Sequence, residues 1–198
     1  HLSDATSLIV GARVVDWNRE SKSRLYSGTS SKAERTESGI VIPYAGLVYD
    51  LNDTWTAYAS YTQIFNPQNA NIRDVKGSPL DPQEGTGYEI GLKASFNDNH
   101  LNASLALFRV EQDNLAVADG RLLQPNGFQA YRAENGTSSE GVELEFNGEI
   151  RDGWNFTGGY SYSVSFNDRD ERIVTEIPRN SVKLFTTYRL PGELDKLT

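Results

Sequence analysis

Thr86-Gly87-Tyr88-Glu89-Ile90-Gly91-Leu92-Lys93-Ala94-Ser95-Phe96 changes character at every second residue. Tyr88, Ile90, Leu92, Ala94 and Phe96 fall on one side of an extended chain, and Gly87, Glu89, Gly91, Lys93 and Ser95 fall on the other. Successive side chains of a strand point to opposite faces, so this stretch reads as a strand with one apolar face and one charged face. Its length also matches the roughly 9–11 residues with which a tilted strand crosses a bilayer.

The same rhythm recurs along the chain. Trp154, Phe156, Gly158, Tyr160, Tyr162, Val164 and Phe166 share a face opposite Asn155, Thr157, Gly159, Ser161, Ser163 and Ser165. Val142, Leu144, Phe146 and Ile150 oppose Glu143 and Glu145, and Val182, Leu184, Tyr188 and Leu190 oppose Lys183, Thr187 and Arg189. The pattern predicts strands near residues 7–17, 39–51, 55–65, 86–97, 100–114, 139–150, 154–167 and 180–190. Asn52-Asp53-Thr54, Asn97-Asp98-Asn99 and Arg151-Asp152-Gly153 are compact turns. Long polar stretches, 18–38, 66–85, 115–138 and 168–179, alternate with them. Short turns at one rim and long loops at the other are the up-and-down layout of an outer-membrane barrel.

Alternation alone also fits a soluble β-sandwich, whose apolar set would line a core. Aromatic placement favours the barrel. Tyr49, Trp55, Phe96, Trp154 and Tyr188 sit toward the short turns, and Phe65, Tyr162 and Phe166 toward the long loops, as two interfacial girdles would. The 198 residues are 37% hydrophobic with net charge −8, and the mean hydropathy is −0.54. A barrel tolerates such averages because only every second strand residue faces lipid. The acidic balance argues against a nucleic-acid partner. There is no cysteine, hence no disulfide or thiolate site. His1-Leu2-Ser3-Asp4 has neither the basic nor the apolar part of a secretory leader, so an exported protein is expected to carry sequence upstream. After Leu190 the chain reads as another turn, without a closing aromatic strand. Unpaired terminal strands are costly in lipid, so the expected fold is all-β: an antiparallel up-and-down transmembrane β-barrel segment of about eight strands from a larger barrel.

Two stretches are distinctive: Tyr58-Ala59-Ser60-Tyr61-Thr62-Gln63-Ile64-Phe65-Asn66-Pro67-Gln68, and Gly87-Tyr88-Glu89-Ile90-Gly91-Leu92-Lys93 after Leu80-Asp81-Pro82. Both resemble TonB-dependent ferric-siderophore outer-membrane receptors. Ala106 to Asn114, Ser139-Glu140-Gly141-Val142-Glu143-Leu144-Glu145 and Pro178-Arg179 with Val182 to Tyr188 match too, in the family's order from about residue 8 to 190. The likeness is greatest to the receptors for ferric coprogen or rhodotorulic acid and for ferripyoverdine. It implies a Gram-negative outer membrane, a barrel of about 22 strands and a plug domain inside it. It also implies a ferric siderophore of hydroxamate or pyoverdine type as substrate, with drive from the TonB-ExbB-ExbD complex of the inner membrane. The plug, the TonB box and the closing strands are expected to lie outside these residues. Partners would then be the siderophore, the plug, the remaining strands and outer-membrane lipid.

No catalytic residues and no metal site are expected. His1 is terminal, and His100 sits beside a short turn without a Ser/Asp arrangement. Gly85 to Gly91 has the wrong spacing for a dinucleotide loop. Asp168-Arg169-Asp170-Glu171 lacks the glycine and distant Glu of a calcium loop. No cofactor is expected, because the iron arrives wrapped in its chelator. Glu89, Lys93, Glu143, Glu145, Lys183 and Arg189 are the expected inward charges, facing lumen and plug. Tyr26, Phe65, Phe128 and Tyr131, with Arg73, Gln124 and Arg132, are the candidate pocket residues of the long-loop rim. A passive channel, an adhesin barrel and a soluble binding sandwich are the alternatives to a siderophore receptor.

Overall fold

The computed structural model describes residues 3–24, 26, 28, 30–69, 71–122 and 128–190. Among these the chain forms strands only: β1 (Thr6–Arg24), β2 (Ser30–Asp50), β3 (Trp55–Asn66), β4 (Gln83–Phe96), β5 (Leu101–Asp113), β6 (Leu115–Leu122), β7 (Gln129–Glu134), β8 (Thr137–Arg151), β9 (Trp154–Phe166), β10 (Arg172–Ile173) and β11 (Asn180–Tyr188). One antiparallel sheet runs β1-β2-β3-β4-β5-β8-β9, with β11 and the short β10 on the far side of β9, while β6 and β7 form a separate hairpin.

Register carries the alternation from strand to strand. Leu8, Leu47, Ala59, Ile90, Leu107, Val142 and Tyr162 are successive partners in one row. Tyr49, Ala57, Leu92, Leu105, Leu144, Tyr160 and Val182 form the next apolar row. One step past the second row, on the opposite face, Asp50, Thr56, Lys93, Ser104, Glu145, Gly159 and Lys183 align. No second layer covers the apolar rows among the described residues: Leu8 is 50% exposed, Ile90 58% and Val182 75%. In water each such side chain would forfeit roughly 1.5–3 kcal/mol relative to burial. A sandwich would bury Tyr160, Tyr162 and Val164 together, but here only Val164 is buried and Tyr160 is exposed. The arrangement suits a wall between lipid and a polar interior.

The short-turn rim is built as its residues require. Asn97, Asp98 and Asn99 all take positive φ, a region that Asn and Asp tolerate best after glycine. Asn52 Oδ1 accepts from the N–H groups of Thr54 (2.9 Å) and Trp55 (3.0 Å). Just above, Trp55 meets Phe96 edge to face at 5.9 Å and Trp154 meets Tyr188 at 6.4 Å, forming the lower girdle.

The long connections hold more strand than periodicity predicts. Most of 18–38 continues β1 and β2 as a hairpin past a register shift at Val15/Trp17, where Gly39 N–H donates to Asp16 Oδ1. Its side chains are charged on both faces, so apolar alternation cannot reveal it. Likewise 115–138 contains β6 and β7, and 168–179 contains β10.

Two polar-face glycines seat rings from the neighbouring strand. A Cβ on Gly91 would lie 2.5 Å from the Tyr58 ring, and one on Gly141 would lie 2.6 Å from the Phe108 ring and 2.2 Å from the Tyr162 carbonyl oxygen. The carbonyl belongs to the ladder and cannot move aside. Gly141→Ala is therefore expected to destabilise the full-length protein by roughly 1–3 kcal/mol, whereas Gly46→Ala, with its nearest contact at 3.8 Å, leaves stability unchanged. Thermal unfolding in detergent, followed by β-sheet circular dichroism, separates the two; equal melting temperatures would refute the packing argument.

Candidate functional site

Beyond the register shift, β1 and β2 project as a hairpin whose two faces differ in charge balance. On one face Glu20 stands opposite Glu34 and Lys22 opposite Lys32. Glu20 lies 2.5 Å from Lys22 Nζ and 3.1 Å from Lys32 Nζ, and Lys32 lies 3.4 Å from Glu34. Lys22 first, and then Lys32, holds the Glu20 carboxyl below its ordinary pKa. On the other face Trp17 stands opposite Glu37 and Arg19 opposite Arg35.

The loop 67–82 returns against this second face. Arg19 Nη1–H donates to Asn69 Oδ1, and Arg35 Nη1–H donates to the Leu80 carbonyl. The Arg35 side chain, only 17% exposed, also contacts Glu37 (2.9 Å) and Asp81 (3.6 Å). Within the loop, Asp74 Oδ1 accepts from the N–H groups of Lys76 and Ser78, and Arg73 Nη1–H donates to the Gly77 carbonyl at 2.6 Å. Buried Gln68 ties the loop to the next connection, donating through Nε2 to the carbonyls of Asp81 (2.6 Å) and Asn114 (2.8 Å). Asn114 in turn donates to Pro82 O at 3.0 Å, and Tyr131 N–H of β7 donates to Arg73 O at 2.8 Å.

Between the hairpin and the loop lies a cavity of about 310 Å³, lined by Trp17, Arg19, Lys32, Glu34, Arg35, Gln68, Arg73 and Pro79. That size is at the lower end for a small-molecule site. A larger space of about 470 Å³ lies at the short-turn end, lined by Thr56, Lys93, Ser104, Glu145 and other polar residues. It belongs to the polar wall and is remote from the loops. Among the described residues no three His, Asp or Glu are grouped to hold a metal ion.

The expected pocket residues are scattered along the rim. Arg73 lines the cavity, and Tyr131 is joined to its backbone. Arg132 stands opposite Val117 on β7, bonded to Glu134. Phe128 is 67% exposed just before β7, and Tyr26 is fully exposed at the hairpin tip. Phe65 falls on the outward face of β3, paired with Glu84. Gln124 lies outside the described residues. Register places Glu89, Lys93, Glu143, Glu145 and Lys183 on the polar face. Tyr58 Oη–H donates to Glu89 at 2.6 Å, and Lys93 sits 5.0 Å from the Tyr58 ring centre. Arg189 follows β11, its N–H bonded to Gly153 O at 2.7 Å. Trp17, Arg19, Arg35 and Gln68 escape sequence reasoning; once the hairpin pairing is known, the facing arginines are the signal.

Residues 1–197 match the family model described as TonB dependent receptor-like, beta-barrel. The chain belongs to the TonB-dependent receptor β-barrel family. Among relatives of this family, a ferric-pyoverdine BN7/BN8 receptor of Pseudomonas putida is 50% identical over 197 residues, covering all of this chain and 24% of the relative. The crystal structure of the ferripyoverdine receptor of the outer membrane of Pseudomonas aeruginosa, bound to ferripyoverdine, superposes with TM-score 0.78 and 36% identity over 98% of this chain and 25% of that one. The alcaligin outer-membrane receptor FauA of Bordetella pertussis gives TM-score 0.75 and 44% identity, over 98% and 33%. The chain thus spans about a quarter of the length of the curated relatives it matches.

In the full-length TonB-dependent receptor, Gln68→Leu removes the donor shared by two loop carbonyls, at a local cost of about 1–3 kcal/mol. Amide exchange at Tyr131 and Leu80, whose N–H groups hold the loop, is expected to accelerate several-fold while β4 and β5 amides keep their protection. Unchanged exchange at both would show that Gln68 does not tie the loops.

Proposed function

We propose that this chain forms barrel wall and extracellular rim of an outer-membrane receptor that imports a ferric siderophore, of pyoverdine or another hydroxamate-bearing type. The observation that carries the reading is the cavity of Trp17, Arg19 and Arg73 at the loop rim, set on a wall that is apolar outward and polar inward. The 50% identity to a receptor for ferric pyoverdine supports the substrate class. The iron comes with its coordination sphere filled by the chelator, so the rim recognises the chelate's surface and supplies no metal ligand or cofactor.

In this reading the loops capture the complex, and a plug domain encoded elsewhere in the protein closes the barrel. The TonB-ExbB-ExbD complex of the inner membrane moves that plug and opens a path. Lys93, Glu143, Glu145 and Lys183 line the route and face the plug, while the apolar rows face lipid. No catalytic step is assigned to the chain. A passive channel would share the wall but has no need of a preformed basic cavity at the rim.

Cells lacking the full-length gene are expected to lose uptake of radiolabelled iron from at least one of ferric pyoverdine, coprogen, rhodotorulic acid and ferrichrome. The intact gene should restore it, and restoration should require TonB. Undiminished uptake of all four in the deletion strain would remove these substrates and sink the reading as stated.

A further inference from the structure

We propose that the cavity between the β1–β2 hairpin and loop 67–82 binds an acidic group of the ferric siderophore, with Arg19 and Arg73 as its hydrogen-bond donors. The proposal rests on the siderophore reading and adds the chemistry of the recognised group. Its starting point is an electrostatic imbalance. Arg19 and Arg35 are direct cross-strand partners, and like charges so placed destabilise a sheet. The hairpin's opposite face shows the alternative, where Lys22 and Lys32 are matched by Glu20 and Glu34.

On the second face only Arg35 is matched, by Glu37 and Asp81, in a chain of net charge −8. Glu37 is engaged by Arg35, and Glu34 by Lys32. The hydrogen bonds recorded for Arg19 and Arg73 among the described residues go to neutral oxygens, Asn69 Oδ1 and the Gly77 carbonyl. Each guanidinium presents a planar fork of five donors, so one or two neutral acceptors leave N–H groups unspent. That fork fits a carboxylate bidentately, and such charge-assisted bonds are the strong ones. Trp17 beside them offers a flat apolar wall for the part of the ligand carrying the acid. Loop 67–82 is fixed by Gln68 and by its internal Asp74 turn, so Arg73 is held in place before the ligand arrives. An acidic, partly planar arm is the chemistry that fits; a neutral or cationic arm would leave the arginines facing each other.

The test compares two probes on the purified full-length receptor: a ferric pyoverdine with a free side-chain carboxylate, and the same chelate with that carboxylate amidated. Wild type is expected to bind the acid more tightly by roughly tenfold to a hundredfold. Arg19→Gln/Arg73→Gln should weaken the acid by that factor, weaken the amide far less and flatten the acid's dependence on NaCl. An unchanged β-sheet circular dichroism melt in detergent is the folding control. Equal affinity of wild type for both probes, or equal weakening of both by the double substitution, would overturn the proposal while leaving the receptor reading intact. Binding of neither probe by wild type would overturn the siderophore reading for this chelate and the acid site with it.

Discussion

In hydrocarbon every backbone N–H and C=O must find its partner inside the protein, and this requirement governs the chain from β1 to β11. Among the described residues ladders meet it: each bilayer-length strand is paired to a neighbour, and β3 with β4 does so without interruption from Trp55 to Asn66. Once the ladders are fixed, the faces are fixed too. A slip of one residue would turn Ile90 and Leu107 inward and drive Glu89 and Glu143 into lipid. Turns such as Asn97-Asp98-Asn99, whose three positive φ angles are specific to their residue types, pin the register at one rim.

Within that frame the polar face is packed by local means, since no layer of the described chain lies across it. Tyr58 and Phe108 lie over Gly91 and Gly141 of the adjacent strands. The glycine supplies space for the ring, and the ring covers backbone that a side chain would otherwise shield. Tyr58 then reaches Glu89 through its hydroxyl and Lys93 through its face. Ring, carboxylate and ammonium therefore form a wall that is smooth and charged, a surface against which another domain can seat.

The bilayer-length part of the fold was legible because its two solvents write the period of two directly into the residues. The eight expected strands correspond to β1, β2, β3, β4, β5, β8, β9 and β11. What stayed hidden lies in water on both faces. The β1–β2 extension pairs Lys with Glu instead of apolar with polar, and β6 and β7 show no clean alternation, Leu115-Ala116-Val117-Ala118 being apolar throughout. The rim cavity was legible only in Arg73. Trp17, Arg19 and Arg35 come together through a hairpin that hydropathy cannot see, and Gln68 is buried by two carbonyls 13 and 46 residues away.

Recognition chemistry sits where the ladder requirement relaxes. β2 pairs with β3 only from Tyr44 onward, so its upper part stands clear of the sheet and loop 67–82 can fold against it. Two like charges about 5 Å apart repel by ~0.8 kcal/mol in bulk water and by ~3 kcal/mol at the effective dielectric of a protein surface. Water therefore tolerates the facing arginines on an open hairpin, and loop 67–82 offsets the charge of Arg35 with Asp81 while Arg19 meets only the neutral Asn69 amide. An anion entering the cavity reverses the sign of the interaction at the point where screening is weakest. With Arg35 already matched by Glu37 and Asp81, it is Arg19 and Arg73, each resting on a neutral oxygen, that turn this sheltered place into selectivity for an acidic ligand.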